Sequence, residues 1–270
     1  MARAGRVAAG TERLTGNPWQ KLERGLELGT FPAPRPSEWG DSLIRVLRID
    51  PARFELRLLN ASAPGQGRPL PAKEWCRRNG LVAAINASMY RTDYRTSVSL
   101  MRTGDHVNNP SLSKDKSILA FDPRVNGVPP VTILDRECDD FDALKRRYQS
   151  FVQSIRMISC KGENVWSPQP RKWSTAAIGT DRKGRILFIH VRSPYSTHDL
   201  IEMLRALPLS LTRAMYSEGG TEAQLYVQGP DRDYEFLGAA AASSGKESQI
   251  QVAWPIPNVV GIARKQAGSR

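Results

Sequence analysis

The sequence predicts an α+β domain: a mixed, largely antiparallel sheet carrying a few packed helices in a single domain. Three observations lead there. Short apolar stretches with strand-like alternation recur along the whole chain, helical patterns interrupt them at only three or four points, and no βα period repeats. At 270 residues the chain can bury a sizeable core, and 40% hydrophobic with 24% charged residues is the balance of a folded chain rather than a disordered one. No internal repeat or linker divides it. The organisation expected is a flexible arm over 1–16, one domain over 17–264 and a tail over 265–270.

The elements follow in order. Residues 1–16 are small and polar with scattered arginines, hence the arm. A short helix is expected over 19–28. Three prolines within 32–38 remove backbone donors and fix φ, so that stretch is extended or irregular. Residues 42–49 and 53–59 alternate apolar and polar around Asp50-Pro51, a strand–turn–strand signature. A short helix over 70–79 is closed by Gly80 and followed by a buried strand over 81–85. Further strands are expected over 96–102, 116–121 and 130–134, then a helix over 140–148 and an apolar strand over 151–158. Residues 176–179 and 185–192 form a hairpin with 181–184 as its turn. Ser196 is an N-cap for a helix over 197–206, with Asp199 in its first turn. Strands over 211–216, 223–227 and 258–262 complete the set, with a loop over 238–249.

The charge balance is strongly basic: 39 Lys and Arg against 27 Asp and Glu give +12. That favours anionic partners, whether nucleic acid, acidic lipid or a polyanionic envelope glycan, without selecting among them. No nucleic-acid-binding motif accompanies the charge. Cys76, Cys138 and Cys160 have no C-x-x-C spacing, which argues against zinc; three ordinary thiols are expected, with one disulfide as the alternative. No cofactor motif is present and no metal site is expected. No apolar run approaches the roughly 18 residues of a membrane-spanning helix, and the first ten residues lack the apolar stretch of a secretion signal. The chain is therefore cytoplasmic or has had a leader removed.

Two polar turns are where chemistry would concentrate. In the first, 86–90, an apolar run delivers Asn86, whose amide can fix a neighbouring loop, bind a sugar hydroxyl or phosphoryl oxygen, or stabilise its own turn. In the second, 217–222, a strand ends at Ser217-Glu218 and two glycines follow, permitting positive φ and close approach of a ligand. A carboxylate at such a point suits a general acid or base, and a solvated glutamate before a glycine turn fits equally. His106 and His198 are candidate proton shuttles, and His198 fits an exposed first helical turn equally; His190 lies in an apolar strand and reads as a core imidazole. Arg171-Lys172-Trp173 pairs cations with an aromatic, as a sugar site or an amphipathic surface turn does. No metalloprotease, serine-hydrolase or P-loop signature occurs.

Taken in order, Ala84-Ile85-Asn86, Ala177-Ile178-Gly179 with Asp181 and Gly184, Glu218-Gly219-Gly220 and Pro257-Asn258-Val259-Val260 resemble the phosphodiester glycosidase family over roughly residues 41–264. Where that family has Asn-Gly-Gly-Phe, this chain has Asn86-Ala87-Ser88-Met89. Where it has Arg-Thr-Ala-Ile-Gly, Thr175 and Ala176 stand for the Arg and Thr. Where it has Asp-Gly-Gly-Gly-Ser-Ser, Glu218 replaces the Asp and Thr221-Glu222-Ala223 replace the last three. The Arg change removes a fixed phosphate-pairing fork, and the Glu moves the carboxylate outward by a methylene.

The resemblance implies a hydrolase acting on a glycosidic or sugar-phosphodiester bond, in a cell-envelope glycan and outside the cytoplasm. Glu218 would be the acid/base carboxyl and Asn86 would orient the substrate. Ser88, Ser174, Thr175, Gly219, Gly220 and Thr221 would contact it, and Arg192 or Arg213 would supply the missing positive charge. Glycoside hydrolysis usually needs a second carboxylate, for which Asp93, Asp199 and Glu222 stand open. The competing readings are a non-catalytic binding protein for an anionic glycan and, on charge alone, a nucleic-acid-binding protein.

Overall fold

The computed structural model describes residues 16–239 and 252–266. Nearly all of the expected arm, most of the loop at 238–249 and the last four tail residues lie outside the described residues. In chain order the elements are β1 (Trp19–Glu23), β2 (Leu26–Pro32), β3 (Leu43–Ile49), β4 (Phe54–Asn60), α1 (Ala72–Asn79), β5 (Ala83–Asn86), β6 (Met101–Thr103), β7 (His106–Asn109) and β8 (Ser117–Pro123). They continue through β9 (Val131–Asp135), α2 (Phe141–Leu144), β10 (Tyr148–Ser154), β11 (Arg156–Ile158), β12 (Trp173–Asp181), β13 (Ile186–Tyr195) and α3 (Thr197–Ala206). The last are β14 (Leu211–Gly219), a 3₁₀ turn at Gly220–Glu222, β15 (Gln224–Val227), β16 (Tyr234–Leu237) and β17 (Asn258–Arg264).

The α+β class stands, with the strands divided among three antiparallel sheets. The first runs β1-β2-β3-β13-β12-β14-β11, the second β7-β6-β10-β8-β9 and the third β16-β15-β5-β17-β4. Strand alternation sends one set of side chains into a core shared by all three sheets, as with Leu119 and Phe121, Ile186 and Phe188, and Val260 and Ile262. The alternate set faces outward and is covered in turn. Leu187 and Ile189 pack with α3, Ala84 and Val259 with α1, and Ile118 and Ala120 with Phe141 of α2. This two-sided burial is why strands such as β13 read as continuous apolar runs. Each large side chain so buried contributes about 1.5–3 kcal/mol.

Several expectations are corrected. The helix at 19–28 is instead the β1–β2 hairpin, turning at Gly25 with φ +85°. Leu26 and Leu28 follow a period of two, and pairing of β2 with β3 fixes them in the core. The strands at 42–49 and 53–59 form but do not pair with each other; β3 joins the first sheet and β4 the third. The strand at 96–102 shrinks to β6, because Ser97 and Ser99 bond to the side chains of Asn108, Ser113 and Asp115 rather than extending the backbone ladder. The helix at 140–148 is a single turn capped by Asp140, and 151–158 breaks near Ile155 into β10 and β11, which belong to different sheets. The elements that follow the predicted pattern include α1, closed by Gly80 at φ +63°, the β12–β13 hairpin, and α3, whose Ser196 Oγ accepts from Asp199 N at 3.1 Å.

The expectation of three free thiols also fails: Cys138 and Cys160 form a disulfide, Cα atoms 6.5 Å apart, and Cys76 is buried and free. Tertiary structure supplies what spacing could not. Asp135 accepts from Cys160 N at 2.9 Å and from Glu137 N at 3.1 Å, and pairs with Arg156 at 2.8 Å, drawing the two chain segments together. The bridge spans 22 residues, and closing a loop of that order removes about 3 kcal/mol of unfolded-chain entropy. A Cys138→Ala/Cys160→Ala variant is expected to lose about 2–4 kcal/mol in urea unfolding. An unchanged midpoint would show that the corner is held by its ion pairs alone.

Candidate active site

The site is built where the inner end of the third sheet meets the end of β14. Asn86 closes β5, buried to 2% exposure, and both ends of its amide engage the main chain opposite. Nδ2 donates to Glu222 O at 2.8 Å, and Gln224 N donates to Oδ1 at 2.7 Å. Of the three roles open to this amide, it therefore performs the fixing of a neighbouring loop, and the two polar turns read from the sequence become one structure.

β14 reaches this point through a bulge. Ala176 of β12 faces Glu218 while Ala177 faces Tyr216, leaving Ser217 as the extra residue. Without it, Tyr216 and Glu218 would share a face. With it, Tyr216 packs outward under α3, while Glu218 turns to the inner side with Ala176 and His190, its neighbours across the sheet. Gly219 then lies against the outer wall: a Cβ there would stand 2.0 Å from the Tyr216 hydroxyl and 2.7 Å from the Trp173 indole. Gly220 takes φ +68° to start the 3₁₀ turn.

Glu218 is partly exposed at its rim but crowded by protein on most sides. Burial first, then Glu222 nearby, push its carboxyl up to about 7 against the opposing hydrogen bond from Gly219 N (3.0 Å to Oε1). Glu222 Oε2 accepts from Thr221 Oγ1 at 2.9 Å. Of the three open partners, Glu222 is thus the carboxylate that senses Glu218. Asp93 instead caps its own turn, where hydrogen bonds from Thr96 and Arg95 draw it down to about 2, and Asp199 pairs with Arg35. Tyr90 senses both glutamates: burial, Glu218 and Glu222 raise its hydroxyl.

The remaining sequence-derived residues divide clearly. Ser88 Oγ donates to Gln153 O at 3.1 Å, and Ser174 Oγ donates to Arg192 O and accepts from Ala239 N, so both hold the frame. Thr175, opposite Gly219, and Ser217, the bulged residue before Glu218, carry buried hydroxyls without a hydrogen-bond partner. Arg213 is drawn away, binding Ile133 O and Asp139. Arg192 lines a cavity of about 180 Å³ with Arg45, Asp41, His190, Glu235 and Phe236. His190 is the core imidazole expected; its Nε2 donates to Ala223 O at 3.2 Å, and burial lowers it to about 4. His106 contacts Ser62, and His198 lies beside Asp199 at the start of α3. Trp173 proves to be a wall of the site rather than a surface turn, although Lys172 does reach out to Glu38. Among the described residues, Asp135, Cys138 and Cys160 alone group as metal ligands would; their thiols are joined and the carboxylate is already occupied.

The domain thus ends one strand of a three-sheet core in a carboxylate–glycine turn, stapled by an asparagine from another sheet. The chain belongs to the phosphodiester glycosidase family, whose sequence model matches residues 79–263. This is a family of hydrolases of sugar phosphodiester bonds. The fold resembles the catalytic domain of zebrafish N-acetylglucosamine-1-phosphodiester alpha-N-acetylglucosaminidase, auto-inhibited by its pro-peptide (TM-score 0.65, 13% identity, 91% of this chain and 86% of that one). It also resembles a hypothetical protein from Synechocystis (0.59, 12%, 93% and 64%) and a protein of Burkholderia pseudomallei described as exported (0.51, 11%, 82% and 73%). No curated protein matches the sequence directly. No helix among the described residues is long and apolar enough to cross a membrane.

Two buried groups give stability opposite dependences on pH. His190, lowered to about 4, contributes stability that is full above about 6.5 and is lost as pH falls toward 4. Glu218, raised to about 7, contributes stability that is full below its ordinary 4.5 and is lost as pH rises through 7. Glu218→Gln removes the second effect alone. Its stability relative to the unsubstituted protein is expected to improve by about 2–3 kcal/mol between pH 4.5 and 7.5, read from urea midpoints. A pH-independent difference would mean that Glu218 titrates normally.

Proposed function

We propose that this protein is a hydrolase of a glycosidic or sugar-phosphodiester bond in a cell-envelope glycan, acting outside the cytoplasm. The observation that carries the proposal is the Glu218 carboxyl, held near neutral pKa beside Glu222 in the domain that defines the family. A carboxyl in that range can both give and take a proton at working pH. In the reaction a water oxygen bonds to the anomeric carbon as the bond from that carbon to the leaving oxygen breaks. Glu218 gives its proton to the leaving oxygen and Glu222 accepts one from the water.

Asn86 acts by orientation, holding the turn that carries Glu222. The hydroxyl of Thr221 and the open side of Gly220, where a side chain would meet only Glu222 at 3.6 Å, are suited to substrate oxygens, and the buried, unpartnered hydroxyl of Thr175 lies behind Gly219. Arg192, with Arg45 in the adjoining cavity, provides cationic charge where the family's motif arginine is replaced by Thr175. The disulfide supports an oxidising compartment, and the +12 charge suits an anionic polymer.

Glu218→Gln is expected to lower turnover of glycosyl phosphodiesters by about 10²–10⁴-fold with the fold retained. Wild-type turnover by the folded variant would remove Glu218 from the mechanism. If the unsubstituted protein binds glycans without cleaving them, it is a glycan-binding member of the fold.

Affinity for an anionic envelope glycan is expected to drop as salt rises from about 0.01 to 0.15 M, because screening shortens from about 30 to 8 Å. A flat titration would show that the basic surface does not recruit the substrate.

A further inference from the structure

We propose that Tyr94, with Tyr90 behind it, forms a stacking platform for the sugar ring on the leaving-group side of the scissile bond. The inference rests on the hydrolase reading above and adds a specificity-determining residue to it.

Tyr94 is 62% exposed, a large aromatic left in solvent, and it holds φ +54°. Positive φ is costly for a bulky residue and persists only where surrounding contacts over-determine it. Those contacts are present. The 90–97 loop is closed by the Tyr90↔Ser97 bridge and by Arg91 N donating to Thr96 O at 2.7 Å. Asp93 accepts from the amides of Arg95 and Thr96 at 3.0 and 2.9 Å and from the Thr96 hydroxyl at 2.6 Å. Arg95 reaches Ala61 O at 3.0 Å, and Asn108 holds Arg95 O at 2.9 Å. A loop tied at so many points carries an unburied phenol ring at its tip.

The ring's surroundings indicate its use. Its centroid is 5.8 Å from that of Tyr90, and the two planes are tilted by 47°. Tyr90 is half-buried and ends the turn opened by Asn86, whose amide bonds to Glu222 O at 2.8 Å, and Glu218 and Glu222 both raise its hydroxyl. The two tyrosines therefore step from the carboxylates out to the rim. Pyranose rings present apolar C–H faces that pack on aromatic surfaces, and a rigid ring offers that area at little entropic cost. The reacting sugar must reach inward to Glu218, so a ring at the outer step belongs to the alcohol that leaves.

The test uses two phosphodiesters of N-acetylglucosamine 1-phosphate, one with methanol and one with a hexose. Tyr94→Asn and Tyr94→Gly remove the ring while tolerating positive φ, and urea unfolding verifies that each folds. Both are expected to lower kcat/KM for the hexose diester about tenfold while leaving the methyl diester within about twofold; Tyr94→Phe keeps both. Equal losses on the two diesters, or no loss on either, overturn the platform. A second arm measures calorimetric binding of the hexose diester in the Glu218→Gln background, where Tyr94→Asn is expected to raise Kd about tenfold. If Glu218→Gln turns over like the unsubstituted protein, Glu218 leaves the mechanism and the kcat/KM comparison decides the platform; if the unsubstituted protein cleaves neither diester, the hydrolase assignment falls and the calorimetric arm decides it. An unchanged Kd overturns it.

Discussion

Both turns that carry the site's polar groups depend on one side chain, the amide of Asn86. It lies at the end of a strand in the third sheet and bonds to the main chain on either side of Ala223, where the chain leaves the first sheet to enter the third. A buried amide of this kind has no water to fall back on, so an unmade bond costs about 1–3 kcal/mol. That penalty fixes the relative position of two sheets at the point where Glu218 and Glu222 emerge. Just before it, the bulge at Ser217 turns Glu218 inward, Gly219 leaves room for Tyr216 and Trp173, and Gly220 supplies the positive φ of the turn.

The same junction explains why the electrostatics are unusual. Ala176 has His190 on one side and Glu218 on the other, all on the inner face, and beside the shared core each ionisable group is driven toward its neutral form. A neutral imidazole and a carboxyl poised near neutrality therefore arise from one cause, desolvation, acting on groups of opposite charge type. Between about pH 4.5 and 6.5 their contributions to stability run in opposite directions.

Much of this was legible in the sequence because local chemistry and final environment agreed. Runs such as 81–85 and 185–192 are apolar on both faces and became strands buried on both faces. Ser196 had the cap geometry of its helix, and the two polar turns stood out as breaks in apolar segments. What was not legible depended on partners distant in the chain. The leucines of 19–28 fit a helix or a hairpin until β3 is beside them. Cys138 and Cys160 carry no spacing signal, and Arg213 is removed from the site by Asp139, 74 residues away. Thr175 and Ser217 are ordinary hydroxyl residues until their burial without partners is known. Tyr94 has no local signature, since its meaning lies in a loop pinned from 61, 96 and 108.

The contact beneath Gly219 also bears on how such a site can change. The Tyr216 hydroxyl occupies the volume that any side chain at 219 would need, and Trp173 closes the adjacent side. No single substitution at 219 is accommodated until one of those rings has shrunk, and shrinking either opens a hole next to the carboxylate before anything fills it. The three positions are therefore sterically coupled: a side chain at 219 requires a smaller one at 216 or 173. By contrast the exposed ring of Tyr94 can be exchanged without repacking its neighbours, given a residue that accepts positive φ. A lineage of such proteins would keep its proton chemistry fixed while it explored new alcohols at the edge.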